Sequence, residues 1–221
     1  RLLEKNSAEL LHARSPSSLA KTPRDFGVDD AIALQFRTYV DAIKPMYEEL
    51  KKLGGEPTFL GYQGFPDVLC VSLNDEVVHG IPSSNRIIKD GDLVGIDFGV
   101  TYQGMITDGA RTVIAGKAKQ KQHILLVERT KESLMAGIKA VHDGIRTGDI
   151  GNAVQTHAET SGFSVVRELV GHGLGKSLHE SPEVPNYGKR GNGFMLKERM
   201  VIAIEPMINL GKKEVIQDRD G

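Results

Sequence analysis

The sequence predicts an α+β fold of two halves related by a pseudo-two-fold, with antiparallel sheet covered by helices. Three observations carry that prediction. The first is an internal repeat, in which Lys89-Asp90-Gly91-Asp92-Leu93-Val94-Gly95-Ile96-Asp97 aligns without a gap on Lys197-Glu198-Arg199-Met200-Val201-Ile202-Ala203-Ile204-Glu205. The second is the shape of each copy: charged residues open it, apolar residues follow with strand character, and one acid closes it. The third is a change of period along the chain, with helix-spaced stretches set between short strand-like runs.

In chain order, Leu2 to Ala13 carries apolar residues at helical spacing, and Ser15 to Gly27, with two prolines and a run of serines, reads as a loop. Asp29 to Leu53 reads as helix broken near Lys44-Pro45, with Gly54-Gly55 as a stop. Residues 1–57 are therefore expected to be a helical N-terminal segment and residues 58–221 the main domain. Val68 to Leu73 is strand-like, Asn74-Asp75 a turn, and Val77 to His79 a second short strand ended by Gly80-Ile81-Pro82. Leu93 to Gly99 and Gly104 to Ile114 are expected to pair as a hairpin across Thr101-Tyr102-Gln103. His123 to His142 carries a long amphipathic helix, and Asp149 to Ser161 another, capped by Gly162. Val165 to Val170 and Val201 to Asn209 read as strands, with Lys212-Lys213 turning the chain before Val215-Ile216.

Composition narrows the function classes. The chain has 221 residues, 39% hydrophobic and 26% charged, as in ordinary globular proteins. A net charge of -1 argues against general binding to a phosphate backbone. No apolar run approaches the roughly 20 residues of a membrane span. One cysteine, Cys70, cannot form an internal disulfide, which points to a reducing compartment. The start, Arg1-Leu2-Leu3-Glu4-Lys5, lacks the apolar core of a signal peptide and an initiator Met, so a processed or shortened chain is expected. Arg14-Ser15-Pro16-Ser17-Ser18 reads as a surface loop or the remnant of a targeting segment.

Two constellations stand out chemically. An acid that closes an apolar strand is costly to bury unless something positive receives it. Asp97 and Glu205 occupy that position in the two copies, and Asp108 follows on the second arm of the predicted hairpin. Facing side chains in a hairpin are about 5 Å apart, close enough for two carboxylates to share a cation. The alternative reading is a pair of exposed turn acids, which the apolar setting of Asp97 disfavours. The second constellation is Gly171-His172-Gly173-Leu174-Gly175 with His179 behind it. One His in a Gly-rich loop is more often a turn residue, but two upstream of a strand-end acid favour metal ligation. Carboxylates plus imidazole without thiolates suit a hydrolytic divalent centre rather than structural zinc. His79, before a Gly/Pro turn, is placed to project from the end of a sheet. His12, His123, His142 and His157 read as surface or packing residues.

Taken together, these residues resemble the methionine aminopeptidases of type I, of the creatinase-like pita-bread fold, over about Gly61 to Gly221. The resemblance rests on Gly61-Tyr62-Gln63-Gly64-Phe65-Pro66, His79-Gly80-Ile81-Pro82, Gly171 to His179 continuing to Val184-Pro185-Asn186-Tyr187, and Ile204-Glu205-Pro206-Met207. It implies Asp97, Asp108, His172 and Glu205 as metal ligands, with Asp108 bridging two divalent ions of the Co, Mn, Fe, Zn or Ni class. It implies His79 beside the substrate amine and scissile nitrogen, and His179 at the scissile carbonyl. Tyr62, Phe65 and Cys70 would receive the methionine side chain. The implied chemistry is attack by a metal-bridged hydroxide, oxyanion stabilisation by His179, and proton delivery to the leaving amine by Glu205. The implied partners are nascent polypeptide N-termini, at the ribosome, for a monomer without nucleic-acid or membrane affinity. The implied location is the cytoplasm, with an organellar form as the alternative.

The sequence also departs from that pattern. Phe59 stands where many bacterial members have a smaller residue and would narrow the methionine pocket. The family's Leu-x-x-Gly-Met appears as Leu196-Lys197-Glu198-Arg199-Met200, without its glycine. A further bridging Glu is implied beyond Gly221, so a chain ending there is expected to bind one ion or none. Two rival readings remain. An X-Pro aminopeptidase or prolidase of the same fold is favoured slightly by Asp97-Phe98-Gly99 and opposed by His79-Gly80-Ile81-Pro82. A metal-free binding protein of the same fold would have lost ligands that are present here.

Overall fold

The computed structural model describes residues 9–12 and 39–218. In chain order the elements are β1 (Glu9–His12), α1 (Tyr39–Lys52), β2 (Glu56–Pro57), β3 (Cys70–Leu73), β4 (Leu93–Tyr102), β5 (Met105–Ile114), α2 (Lys121–Ala140), α3 (Thr147–Thr160), β6 (Ser164–Val165), β7 (Gly171–Gly173), β8 (Glu180–Val184), β9 (Val201–Ile204) and β10 (Ile208–Asn209). They divide into two compact units, one holding residues 39–124 and 217–218, the other residues 9–12 and 125–216. Every strand pair is antiparallel.

In the unit of residues 39–124, β4 is the organising strand. β5 pairs along one edge of it, while β2 and β3 lie end to end on the other. Val94, Ile96, Phe98 and Val100 alternate along β4 and share a core with Val71 and Leu73 of β3 and Met46 and Leu50 of α1. Leu50 is 0% and Phe98 1% exposed, and each such side chain contributes about 1.5–3 kcal/mol. The period of two sends the intervening residues, Gly95, Asp97 and Gly99, to the opposite face. This alternation fixes the register of the hairpin.

The turn itself differs from expectation. Tyr102 pairs with Met105, leaving a two-residue loop of Gln103 and Gly104, with φ of 51° and 74°. Two positive φ values define a primed turn, whose twist matches the strands it joins. Thr101 and Tyr102, assigned to the turn from sequence, extend β4 instead. Residues 77–79 form no strand, and α1 runs through Pro45 without a break. Burial of Met46 and Leu50 beyond that proline outweighs its one missing N–H.

In the second unit the sheet order is β1-β9-β7-β8, with β10 and β6 paired separately. The helix expected over Leu2 to Ala13 is contradicted where it can be seen, since Glu9–His12 is a strand paired along β9 from Glu9–Ile204 to His12–Val201. An open strand edge satisfies those backbone groups, and tertiary pairing overrides helix-like spacing. The other residues of that segment, and Asp29 to Thr38 of the expected helix, lie outside the described residues. The strand expected over Val201 to Asn209 is interrupted at Glu205, where Pro206 has no N–H to continue a ladder. Val215-Ile216 forms no strand, and Ile216 is 94% exposed.

Leu134 and Ile138 of α2 pack with Ile150 and Val154 of α3 and with Ile202 and Ile204 of β9. Gly137 makes that crossing possible, because a Cβ there would lie 2.8 Å from Val154 Cγ2. No helix among the described residues is long and apolar enough to cross a membrane.

Candidate functional site

The first group of predicted site residues lies on the face of β4 and its neighbours that turns away from the core. Asp97 pairs with Cys70 across β3 and with Ala110 across β5, while Asp108 pairs with Gly99. The two acids are therefore diagonal rather than directly opposite, a correction that follows from the shifted turn. The diagonal spacing still lets long side chains meet. Asp108 is 4% exposed, and Asp97 Oδ1 is buried with no hydrogen-bond partner among the described residues. Burial first, then the charge and hydrogen bond of Asp108, push the Asp97 carboxyl well above the usual carboxylate range, against a smaller opposing effect of the Phe98 N–H. Two buried carboxyls in contact cannot both ionise cheaply without a cation.

Around this pair, burial and the negative charges of Asp97, Asp108 and Asp67 push the Cys70 thiol far up. Cys70 therefore stays a neutral thiol, suited to apolar contact and unsuited to metal ligation. Phe59 is 7% exposed and lies over Gly99, where a Cβ would come within 2.5 Å of its ring. Phe59 meets Phe65 edge to face, with centroids 6.5 Å apart. Tyr62–Gly64 form a kinked turn just before Phe65, with Gln63 left-handed at φ 48°.

His79 does not end a strand but sits in a loop at φ 59°, a left-handed conformation uncommon for a non-glycine residue. Gly80 anchors that loop on β3: its carbonyl accepts from Val71 N at 2.9 Å and its N–H donates to Ser72 Oγ at 3.1 Å. A Cβ on Gly80 would drive into the Val71 carbonyl. His79 keeps an exposed edge, yet the protein mass around its ring lowers its pKa, with the Asp108 charge pulling the other way.

The second group lies in the other unit. His172 is 7% exposed on β7, at a bulge where His172 pairs with Glu183 but Gly173 with Glu180. The flanking glycines serve the packing of the strands. A Cβ on Gly171 would strike the Ala203 carbonyl and one on Gly173 the Ser181 carbonyl, so they admit the strands on either side. His172 Nδ1 bonds Gly173 O at 2.9 Å, which makes Nδ1 the protonated nitrogen. Nε2, the coordinating nitrogen of that tautomer, lies 3.6 Å from Glu205 Oε2. That is too long for a good hydrogen bond but close to the roughly 3.4 Å separating two ligand atoms at ~2.1 Å from one cation. Burial lowers the His172 pKa and keeps the ring neutral, with the Gly173 bond opposing. The His179 ring lies against His172, with centroids 4.2 Å apart and planes tilted by 57°. Its loop is held by Glu180 Oε1, which accepts from Lys176 N at 2.9 Å and Ser177 N at 2.7 Å.

A buried carboxyl pair with an orphaned oxygen, and a neutral imidazole beside a carboxylate, are donor sets that fit hard or borderline divalent ions. The profile of metallopeptidase family M24 matches residues 37–219. The chain belongs to metallopeptidase family M24. Within M24 it is 42% identical to methionine aminopeptidase 1 of Bacillus subtilis over 211 residues, covering 89% of this chain and 84% of that protein. It is 43% identical to the methionine aminopeptidase of Mycoplasma capricolum, covering 81% and 72%. The crystal structure of methionine aminopeptidase from Thermotoga maritima superimposes with a TM-score of 0.84 at 39% identity, covering 95% of this chain and 87% of that one. M24 membership implies divalent metal binding and a pita-bread fold.

Sequence reasoning assigned no role to Asn186, which is 0% exposed and donates from Nδ2 to Glu205 O at 2.6 Å. Nothing in the sequence links Asn186 to a residue 19 positions on. Only the run Val184-Pro185-Asn186-Tyr187 marked the stretch as worth inspection.

Proposed function

We propose that the protein is a metal-dependent aminopeptidase that removes the N-terminal methionine from polypeptides. The observation that carries this reading is the buried Asp97–Asp108 pair, which needs cations, in a chain related over most of its length to methionine aminopeptidases. Asp97, Asp108, His172 and Glu205 are the proposed ligands of divalent ions of the Co, Mn, Fe, Zn or Ni class, which these four residues would hold singly and, with the further Glu that the resemblance implies, as a pair. When bound, the ions acidify water and polarise the amide carbonyl at neutral pH.

The chain's own residues supply the rest. The Gly173 bond holds His172 in the tautomer that offers Nε2. Tyr62, Phe65, Phe59 and the neutral Cys70 thiol form the proposed pocket for a flexible thioether side chain. His79, whose loop Gly80 anchors, is the proposed hydrogen-bonding partner near the substrate's amine and scissile nitrogen. His179 donates to the scissile carbonyl oxygen, and Glu205 takes a proton from the attacking water and passes it to the leaving amine. The substrates are nascent chains at the ribosome, met by a monomer in the cytoplasm.

The test is hydrolysis of Met-Ala-Ser, Leu-Ala-Ser, Met-Leu-Ser and Ala-Pro peptides by Mn(II)- or Co(II)-loaded protein. Rapid release of Met from Met-Ala-Ser, lost on chelation and at least tenfold slower for the other three, is expected. Equal turnover of Leu-Ala-Ser, or a requirement for Pro in second place, would replace this reading with a broader or X-Pro peptidase.

A further inference from the structure

We propose that Asn186 is a positioning residue, whose side-chain amide fixes the backbone of Glu205 and so aims its carboxylate. The inference rests on the reading of Glu205 as a metal ligand and goes beyond it by naming what holds that ligand in place.

Glu205 lies just past the end of β9, and Pro206 after it cannot donate. A ligand on such a frayed strand end would be poorly aimed. Asn186 corrects this by donating from Nδ2 to Glu205 O at 2.6 Å. The donor is itself clamped. A Cβ on Gly151 of α3 would lie 2.5 Å from Pro185 O, so the segment carrying Asn186 rests directly on that helix. Asn152 Nδ2 donates to Gly188 O at 3.2 Å, and Gly188 N donates to Gln155 Oε1 at 3.1 Å. Glu205 is thus fixed by a segment bound to α3, while its carboxylate faces His172 on β7.

The amide is also a poor choice for stability alone. Asn186 Oδ1 is buried with no hydrogen-bond partner among the described residues, which is unfavourable. Of the two ends of the amide, only the donor Nδ2 is engaged, and its partner is the Glu205 carbonyl. Residues that orient metal ligands typically change metal affinity or activity about 10–100-fold when removed.

The experiment compares wild type with Asn186→Asp, Asn186→Ala, Asn186→Gln and Glu205→Gln. It measures Mn(II) affinity by calorimetry, kcat and KM on Met-Ala-Ser, and folding by circular dichroism. The Asp and Ala variants are expected to lose at least tenfold in Mn(II) affinity and in kcat, with KM within about threefold. Asn186→Gln, which keeps an amide donor, is expected to recover part of both. Folded Asp or Ala variants with unchanged Mn(II) affinity and kcat would overturn the proposal, whatever their melting temperature. It is overturned equally if neither folds while Asn186→Gln is fully active, which would make the role structural. If wild type binds Mn(II) but Glu205→Gln leaves the affinity unchanged, the reading of Glu205 as a ligand falls instead.

Discussion

Gly91 and Arg199 occupy the same position in the two copies of the internal repeat and share one backbone conformation, with φ of 83° and 74°. In each copy the residue after them closes the same turn, Asp92 N to Lys89 O at 3.0 Å and Met200 N to Lys197 O at 3.2 Å. The first copy meets the left-handed requirement with glycine and the second with arginine, at a cost of about 1–2 kcal/mol. Arg199→Gly is therefore expected to stabilise the protein by about 0.5–1 kcal/mol, after the larger entropy of glycine in the unfolded chain is subtracted. Gly91→Ala is expected to destabilise by about 2 kcal/mol, since its Cβ would also meet Lys119 Cγ at 2.5 Å and Lys117 O at 2.8 Å. Urea unfolding of both variants checks the pair; equal and opposite signs are not required, only these directions.

Asp97 separates metal binding from stability. With no cation bound, Asp97→Asn removes the conflict of two buried carboxyls, so the melting temperature of chelator-treated protein should rise. The same variant should bind Mn(II) at least tenfold more weakly. Scanning calorimetry with and without Mn(II) reads both effects, and a fall in the metal-free melting temperature would contradict the electrostatic account.

The Cys70 thiol should be nearly inert. Its buried, anionic surroundings hold the pKa above the normal value, so almost no thiolate exists at pH 8. Iodoacetamide is expected to label folded protein at least a hundredfold more slowly than protein in urea. Mass spectrometry over time gives the two rates, and comparable labelling would show that the thiol is open to solvent.

Asp92 ties stability to pH through bonds far from the two carboxyls. Burial disfavours its charge, but Lys119 Nζ at 2.6 Å, Lys89 N at 2.8 Å and Asn74 Nδ2 at 3.2 Å outweigh that and lower its pKa. A depressed folded pKa means that the stabilisation is complete above the unfolded value, near 3.8, and is lost as pH falls through the folded value. Asp92→Asn should therefore be less stable than wild type at pH 7 and should narrow the gap below about pH 3.5. Urea midpoints across pH 2.5–7 test it; a gap independent of pH would mean that shape, not charge, matters at this position.

The repeat and the alternation of β4 were legible because period and burial speak through residue type. Val94, Ile96, Phe98 and Val100 announce one face, and Asp97 stands out on the other. The hairpin turn was misplaced by two residues because Gln103 at φ 51° has no sequence signature as strong as glycine. That small error changed Asp97 and Asp108 from opposite to diagonal neighbours. Glu9–His12 could not be read at all, since its strand exists only because the edge of β9 is there to receive it. The role of Gly171 and Gly173 was legible as a need for glycine but not as its cause, which lies in carbonyls contributed by Ala203 and Ser181. Asn186 was invisible for the same reason, since its partner is distant in the chain.

β4 also makes folding and chemistry inseparable. One period of two assigns Ile96 and Phe98 to the interior and Asp97 to the opposite face. Slipping β4 by a single residue against its neighbours would press Asp97 into the core and turn Ile96 and Phe98 outward. No mispaired form can therefore be well packed yet merely inactive. Turnover by this protein is in effect an assay of strand register, and a one-residue insertion within either arm of the hairpin should abolish it.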